Sequence, residues 1–377
     1  MKIGLVCPYN FNKHGGVLQV VLALKKGLQD RGHQVKVITP LPYGSKPIDS
    51  DDVIYIGSST DFRSPSHTTA QISSTADSNN IDKILEAEKF DVLHFHEPWV
   101  PFLSRQLLQR SSSVNIATFH SKVPETLMSR TVIKVVTPYM KSVMNYLDHL
   151  TAVSGSGAEY ARSLTKKPIE IIPNGIDLGV YHNLKKVEHQ TGKNILYVGR
   201  LETRKGVKYL LKAFAILSSK YPDVNLIIAG DGPNRDKLKQ LSSELGLKNV
   251  SFLGYIDDEK KLELLSHADL FCSPALFGES FGIVLLEAMA SGTVTVAGSN
   301  SGYIDVMKDL GTVSIVDPQQ TEEFARRLEL LLFQEDIRSL WKKWAKDYVK
   351  QFSYPNVIDQ YETLYKRSLK EKINARK

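Results

Sequence analysis

Cysteine is almost absent from this chain. Cys7 and Cys272 stand far apart in apolar, strand-like runs. That excludes a disulfide framework, and both read as small buried hydrophobes of a reduced compartment. No Cys/His spacing suits zinc, and no Asp-x-Asp pair stands where a metal-dependent site would want one. Asp51–Asp52 precedes a strand, and Asp257–Asp258 reads as a helix cap. Neither a metal nor a cofactor is expected. No apolar run approaches the roughly 18 residues that cross a bilayer. The opening "MKIGLVCPY" has one Lys and a short apolar run before Pro8. It reads as a first strand and not a secretion signal, so the expected location is the cytoplasm. No basic block with interleaved aromatics marks a nucleic-acid groove, and nucleic acid is not an expected partner.

What remains is ample core-building material. The chain has 377 residues, 42% of them apolar and 24% charged. That length exceeds what one hydrophobic core usually serves and predicts two domains. The formal charge of +7 suits an anionic partner such as a nucleotide or a phospholipid surface, or simply keeps the protein soluble.

Strand and helix patterns alternate twice over. "KIGLVCPY", "HQVKVIT", Val53–Ile56, "DVLHFHEP", "NIATFHS" and "HLTAVS" read as strands. Between them lie helical periods such as "VLQVVLALKKGLQDRG" and "VIKVVTPYMKSVMNYL", the second interrupted near Pro138. Residues 57–80, rich in Ser and Thr, read as a long loop. Residues 182–193 are polar and aperiodic and read as the linker. The pattern restarts at "NILYVGR" and runs through "VNLIIAGDG", "VSFLGYI", "DLFCSP" and "TVTVAGSN". The prediction is an α/β protein with two Rossmann-like, doubly wound domains facing a cleft. The boundaries are 1–185 for the N-terminal domain and 186–350 for the C-terminal domain. A helical tail over 351–377 is expected to return to the N-terminal domain.

Four patterns could carry chemistry. In "FGESFGIVLLEAMASG", Glu279 and Glu287 stand eight positions apart. With Ser280 as N-cap, a helix starting at Phe281 would aim the amides of Gly282 and Ile283 at a phosphate. Eight helical residues rise about 12 Å, comparable to a diphosphate with a sugar at each end. The plain alternative is that Glu279 complements the helix dipole and Glu287 is a solvated charge. "GRLETRKG" places Arg200, Arg204 and Lys205 after a strand, where they could neutralise a diphosphate leaving group or form an ordinary basic loop. "NFNKHGGV" places Gly15 and Gly16 between the first strand and the first helix. They allow close backbone approach to a ligand or serve a turn needing positive φ; the full G-x-G-x-x-G fingerprint is absent. His94 and His96 alternate onto one side of a strand, and His120 at another strand's carboxyl end is the better cleft candidate. The stretch Val132–Tyr146, with Lys134 and Lys141, could rest on an anionic membrane or be a core helix with solvated lysines.

Taken together, "CPYNFNKHGGV", "HFHEP", "TFHS", "IPNGID", "VGRLETRKG", "IAGDGP" and "FLGYIDDEKKLELLSHADLFCSPALFGESFGIVLLEAMASG" resemble the retaining GT-B glycosyltransferases of family four. They stand in the family's order along nearly the whole chain, and the E-x7-E pair is the family's best-known mark. The resemblance implies transfer of a sugar from a nucleotide-sugar with retention, no metal, and no obligatory enzyme nucleophile. It implies that Glu279 holds sugar hydroxyls and Glu287 the nucleotide ribose. Arg200 and Lys205 would stabilise the departing diphosphate, which Gly15 and Gly16 approach. Amides near Phe281, Gly282 and Ile283 would serve sugar and phosphate, and Ile256 would hold the base through its backbone. His120 would stand beside sugar and acceptor as a catalytic residue.

The subgroup most similar is the phosphatidylinositol mannosyltransferases. This implies GDP-mannose as donor and an inositol phospholipid as acceptor, with Tyr9, Asn12, Lys122 and Arg204 on the acceptor side. It also implies peripheral contact with an anionic membrane, at the inner face of the plasma membrane. The chain departs from the subgroup at Asn12, where the subgroup has an acid. It departs again at residues 66–73, "SHTTAQIS", where the subgroup is basic; Arg63 is the nearby cation. Two alternatives stand beside this reading: a UDP-sugar-dependent glucosyltransferase of the same family, and a nucleotide-sugar epimerase or hydrolase.

Overall fold

The computed structural model describes the chain except residues 11–14, 48–49, 64–68, 74–76, 101, 122–129, 183, 185–191 and 376–377. Most of the expected linker lies outside the described residues. The chain divides into two compact units, Met1–Gly175 with Tyr354–Lys377, and Ile176–Ser353. The sequence predicts these divisions at 185/186 and 350/351.

The first unit is built on eight strands: β1 (Lys2–Val6), β2 (Gln34–Pro42), β3 (Val53–Arg63), β4 (Thr69–Ser73), β5 (Val92–His96), β6 (Val114–Phe119), β7 (His149–Ala152) and β8 (Ile169–Ile171). Their order is β4-β3-β2-β1-β5-β6-β7-β8. All neighbours pair in parallel except β3 with β4. The antiparallel edge corrects the reading of 57–80 as a loop. A polar edge strand needs no apolar face, so its composition gave no strand signal.

Helices cover both faces. On one, α1 (Gly16–Gln29) and the C-terminal α14 (Tyr354–Ala375) pack Leu18, Val21, Leu24 and Leu28 with Ile358, Tyr361 and Tyr365. At Gly27 an added methyl group would meet the tip of the Ile358 side chain at 2.0 Å, so the two helices pack closely there and a larger residue would have to displace that side chain. The other face carries α2 (Ser78–Glu88), α3 (Leu103–Leu108), α4 (Arg130–Met144) and α5 (Gly155–Leu164). Helix α4 runs continuously through Pro138, which corrects the expected interruption. Helix α3 has too few turns to show a period.

The second unit carries six parallel strands in the order β11-β10-β9-β12-β13-β14. These are β9 (Lys193–Val198), β10 (Val224–Ala229), β11 (Val250–Gly254), β12 (Leu270–Ser273), β13 (Val294–Gly298) and β14 (Ile315–Val316). Around them pack α6 (Leu178–His182), α7 (Val207–Lys220), α8 (Arg235–Glu244), α9 (Asp258–His267), α10 (Ile283–Ala290), α11 (Ser301–Val306), α12 (Thr321–Phe333) and α13 (Glu335–Tyr348). Among the described residues, no helix is long and apolar enough to cross a membrane.

The strand orders point to candidate sites. Ligands of open parallel sheets bind beyond the carboxyl ends of strands where the order reverses. In the first unit that point is β1 beside β5; in the second it is β9 beside β12. Beyond the ends of these strands stand Tyr9 and Asn10, Glu97, Gly199 to Gly206, and Pro274 to Gly282.

Candidate active site

In the second unit, two loops meet through glycines. The loop after β9 forms one 3-10 turn over Thr203–Lys205, closed by Gly206 at φ +70°. A methyl group there would lie 2.0 Å from the Pro274 carbonyl oxygen. That proximity forces glycine and brings the cations of one loop against the carboxylate of the other. The Arg204 carbonyl accepts the Leu276 N–H at 2.8 Å, locking the two loops together.

Glu279 Oε1 receives Arg204 at 2.5 Å and Lys205 Nζ at 2.8 Å. Arg204 Nε also donates to Glu202 Oε2 at 2.8 Å, and Arg200 pairs with Glu202 Oε1 at 3.1 Å. Burial opposes the Arg204 charge, yet Glu279 and Glu202 hold its pKa above the usual arginine value. Lys205 and Glu279 are nearly buried, at 14% and 13% side-chain exposure, while Arg200 is 56% exposed and open to a ligand. Below this cluster lies a buried aromatic floor. Tyr197 donates from its hydroxyl to the Arg200 carbonyl at 2.9 Å. Tyr303 shares a hydrogen bond with Ser273 at 2.7 Å. Burial first, then the nearby Glu279 carboxylate, raises the pKa of both phenols.

The helix following Glu279 begins at Ile283, with Gly282 as its N-cap at φ +104°. The expected N-cap at Ser280 and start at Phe281 are therefore corrected. A left-handed residue must enter this helix, and only glycine fits against the Tyr303 ring, which a methyl group would meet at 2.7 Å. Glu279 accordingly lies in the loop and not at one end of the helix. Phe281 is buried, edge-on to Phe352 at 5.8 Å. Glu287 lies within α10 and pairs with Lys261 Nζ of α9 at 2.8 Å. Tyr181 stands against Glu287; burial first, then this carboxylate, raises the phenol's pKa. Ile256 follows β11, half-buried beside the exposed Tyr255.

In the first unit, His120 follows β6 and is buried. Its Nε2 lies 2.8 Å from His96 Nδ1. The His94 and His96 rings are 4.2 Å apart, on one side of β5. His94 bridges Tyr365 of α14 at 2.7 Å and Thr118 at 2.6 Å. Burial keeps all three histidines neutral, with His94 lowered to about 3 and His120 to about 4. Gly15 and Gly16 open α1 without positive φ, which corrects the turn alternative. A methyl group on Gly15 would meet nothing within 4 Å among the described residues. The Tyr9 carbonyl accepts from Thr39 at 2.9 Å. Asn12, Lys122 and the side chain of Lys134 lie outside the described residues.

Three residues at these sites had no assigned role in the sequence reading. Lys261 partners Glu287, Tyr303 floors the Glu279 cluster, and Glu97 holds the His120 loop, accepting from the His120 N–H at 2.9 Å. Of these, Glu97 was visible as the one acid in "HFHEP".

Comparison with known proteins gives the cluster its context. A family model for group 1 glycosyl transferases matches residues 182–348, and one for glycosyltransferase family 4 matches residues 14–180. The phosphatidyl-myo-inositol mannosyltransferase of Mycolicibacterium smegmatis is 31% identical over 383 residues, covering 100% of this chain and 97% of the relative. The Mycobacterium tuberculosis protein of the same name is 31% identical over 373 residues, covering 97% and 96%. The chain belongs to the group 1, family 4 glycosyltransferases. Sucrose-phosphate synthase from Thermosynechococcus elongatus shares the fold with a TM-score of 0.75 at 21% identity, over 97% of this chain and 98% of that one. Anabaena HepE in complex with UDP and glucose does so at 0.73 and 19% identity, over 97% and 99%. The fold class of this glycosyltransferase is thus GT-B.

Proposed function

We propose that this glycosyltransferase moves mannose from GDP-mannose to an inositol phospholipid or a related lipid-linked or glycan acceptor, with retention at the anomeric carbon. The observation that carries the donor half is the Glu279 carboxylate gripped by Arg204 and Lys205 beyond β9 and β12. A carboxylate accepts hydrogen bonds from sugar hydroxyls, and the adjoining cations meet phosphate oxygens. Each group holds the other in place before a ligand arrives, so little reorganisation remains to be paid during the reaction. The exposed Arg200 and the partly shielded Lys205 stabilise the departing diphosphate. Glu287, held by Lys261 and Tyr181, accepts from the ribose hydroxyls. The Ile256 backbone holds the base, and Ile283 at the start of α10 adds free amides.

The first unit supplies Gly15 and Gly16 to the diphosphate. Tyr9, with Asn12 and Lys122, serves the acceptor. His120 acts beside the reacting sugar, and burial keeps it neutral and hence a hydrogen-bonding group. The acceptor reading rests on the 31% full-length likeness to the phosphatidyl-myo-inositol mannosyltransferases. The surplus of positive charge favours work at an anionic membrane surface from the cytoplasmic side.

The test incubates the purified chain with radiolabelled GDP-mannose or UDP-glucose and phosphatidylinositol vesicles. Label should enter the lipid fraction from GDP-mannose, and NMR of the product should show an α-mannoside. Preferential transfer from UDP-glucose would overturn the donor assignment. A β-linked product would overturn retention, and release of free sugar regardless of acceptor would indicate a hydrolase.

A further inference from the structure

Glu97 is fully buried at the end of β5, in a left-handed backbone conformation at φ +52°. A non-glycine residue seldom adopts that conformation without tertiary support. Its Oε1 accepts two hydrogen bonds, from the His120 N–H at 2.9 Å and the Ser121 hydroxyl at 2.6 Å. Next to it, His96 Nδ1 meets His120 Nε2. His96 Nε2 and Glu97 Oε2 are buried and find no partner among the described residues.

These orphan atoms decide the proton positions. One proton lies between the two rings. Had His120 donated it, His96 would carry its own proton on Nε2, a buried donor with no acceptor. Had His96 donated it from Nδ1, its Nε2 is left as a bare lone pair. Either orphan costs desolvation, but an orphaned buried N–H is rarer in folded proteins than an under-satisfied acceptor, so the second arrangement is favoured. It also places the His120 proton on Nδ1.

We propose that His96 and Glu97 are positioning residues for His120: Glu97 fixes the main chain at residues 120–121, and His96 fixes the ring as the Nδ1–H tautomer. This rests on the proposed role of His120 beside the reacting sugar. His94 backs the arrangement, since its ring packs on His96 and its two nitrogens are held by Thr118 and by Tyr365 of α14. The C-terminal helix is thereby tied to the posture of His120.

The experiment records imidazole 15N spectra of the full chain, with His120 assigned by the signal lost in His120→Gln. In the unsubstituted protein, His120 should show a protonated Nδ1 and a bare Nε2. The same pattern should persist in His96→Asn, whose amide places an N–H where Nδ1 was, and change in His96→Leu. Turnover should fall about tenfold in His96→Leu, which loses one fixed hydrogen bond, and at least as far in Glu97→Ala, which loses two, both at unchanged donor KM. It should recover in His96→Asn and in part in Glu97→Gln, whose amide oxygen can accept both bonds that Glu97 Oε1 accepts while its NH2 takes the partnerless Oε2 position. A proton on Nε2 in the unsubstituted protein overturns the proposal, as does an unaltered spectrum in His96→Leu. Should His96→Leu not fold, the spectrum of the unsubstituted chain still decides. Normal spectra with no sugar transfer by the unsubstituted chain would refute the proposed function and leave the tautomer assignment standing.

Discussion

The two units hold polar groups at corresponding places in opposite electrical states. Beyond β9 and β12, Glu279, Glu202, Arg200, Arg204 and Lys205 pair as ions within reach of solvent. Beyond β5 and β6, three histidines and Glu97 are sealed in, and burial drives all four toward their neutral forms. Desolvation costs explain the contrast. An ion survives partial burial only with a counter-ion at hydrogen-bonding distance, and Lys205 has one. The histidines have no carboxylate partner that burial leaves charged, so they exchange neutral hydrogen bonds instead. A charged cluster can answer a charged ligand; a neutral one can fix geometry without attracting counter-ions.

The largest expected effect breaks the charged half. Lys205→Ala and Glu279→Gln should each lower sugar transfer by about 10² to 10³-fold, the usual loss when one preorganised donor or acceptor is removed from a reacting site. Circular dichroism should show the fold intact in both. Full activity in either variant would mean that the ion pair is structural only, and the contrast between the units would lose its functional meaning.

Next comes the backbone that sets up the charged half. Gly206→Ala forces a side chain into φ +70° and toward the Pro274 carbonyl. A destabilisation of about 1–3 kcal/mol is expected, with donor affinity lost as the two loops part. Urea unfolding and nucleotide calorimetry on one preparation measure both. A normal midpoint with normal affinity would show that the loops do not depend on this contact.

A smaller effect belongs to α10. Glu287→Gln keeps a hydrogen-bond acceptor but removes the charge that Lys261 and Tyr181 face. Donor KM should rise roughly tenfold with turnover little changed, as for loss of one charge-assisted hydrogen bond. A fall in turnover at constant KM would place Glu287 nearer the reacting bond than the ribose.

The same contrast explains what could be read without coordinates. Apolar strands such as "LFCS" of β12 and "VLHFH" of β5 announce themselves, because fully buried parallel strands are continuous apolar runs. The clustering of Arg204 and Lys205 after a strand, and of Glu279 after another, was legible from position alone. Their direct contact was not, because it depends on Gly206 lying against Pro274, two positions far apart in sequence. The start of α10 was misplaced by two residues, since Ser280 satisfies the usual N-cap chemistry while Gly282 satisfies the backbone. Pro138 shows the reverse case: a local helix breaker is overridden within α4, whose buried Met140, Val143 and Met144 pack into the core. Glu97 stands in "HFHEP" with no legible role, because nothing in a sequence reveals that an acid is fully buried at a left-handed position.

The smallest effect sharpens the neutral half, through the pH dependence of stability. His94 and His120 stay unprotonated in the folded chain down to about 3 and about 4, whereas the unfolded chain binds protons below about 6.5. Between those values the unfolded state holds more protons, so stability rises with pH. Glu97 works the other way. Burial raises it to about 8, against about 4.3 unfolded. Over that interval the folded state keeps a proton that the unfolded state releases, and stability falls with pH. From about 6.5 to about 8 only Glu97 in this cluster titrates differentially; Cys7 and Tyr9, which its charge reaches, stay protonated throughout. The cluster's contribution should therefore peak near pH 6.5 and decline above it. Urea midpoints measured from pH 5 to pH 9 should show that decline in the unsubstituted chain and a flatter profile in Glu97→Gln, whose side chain cannot release a proton. Superimposable profiles above pH 6.5 would mean that Glu97 is ionised in the fold, and that the first unit buries a charge much as the second does.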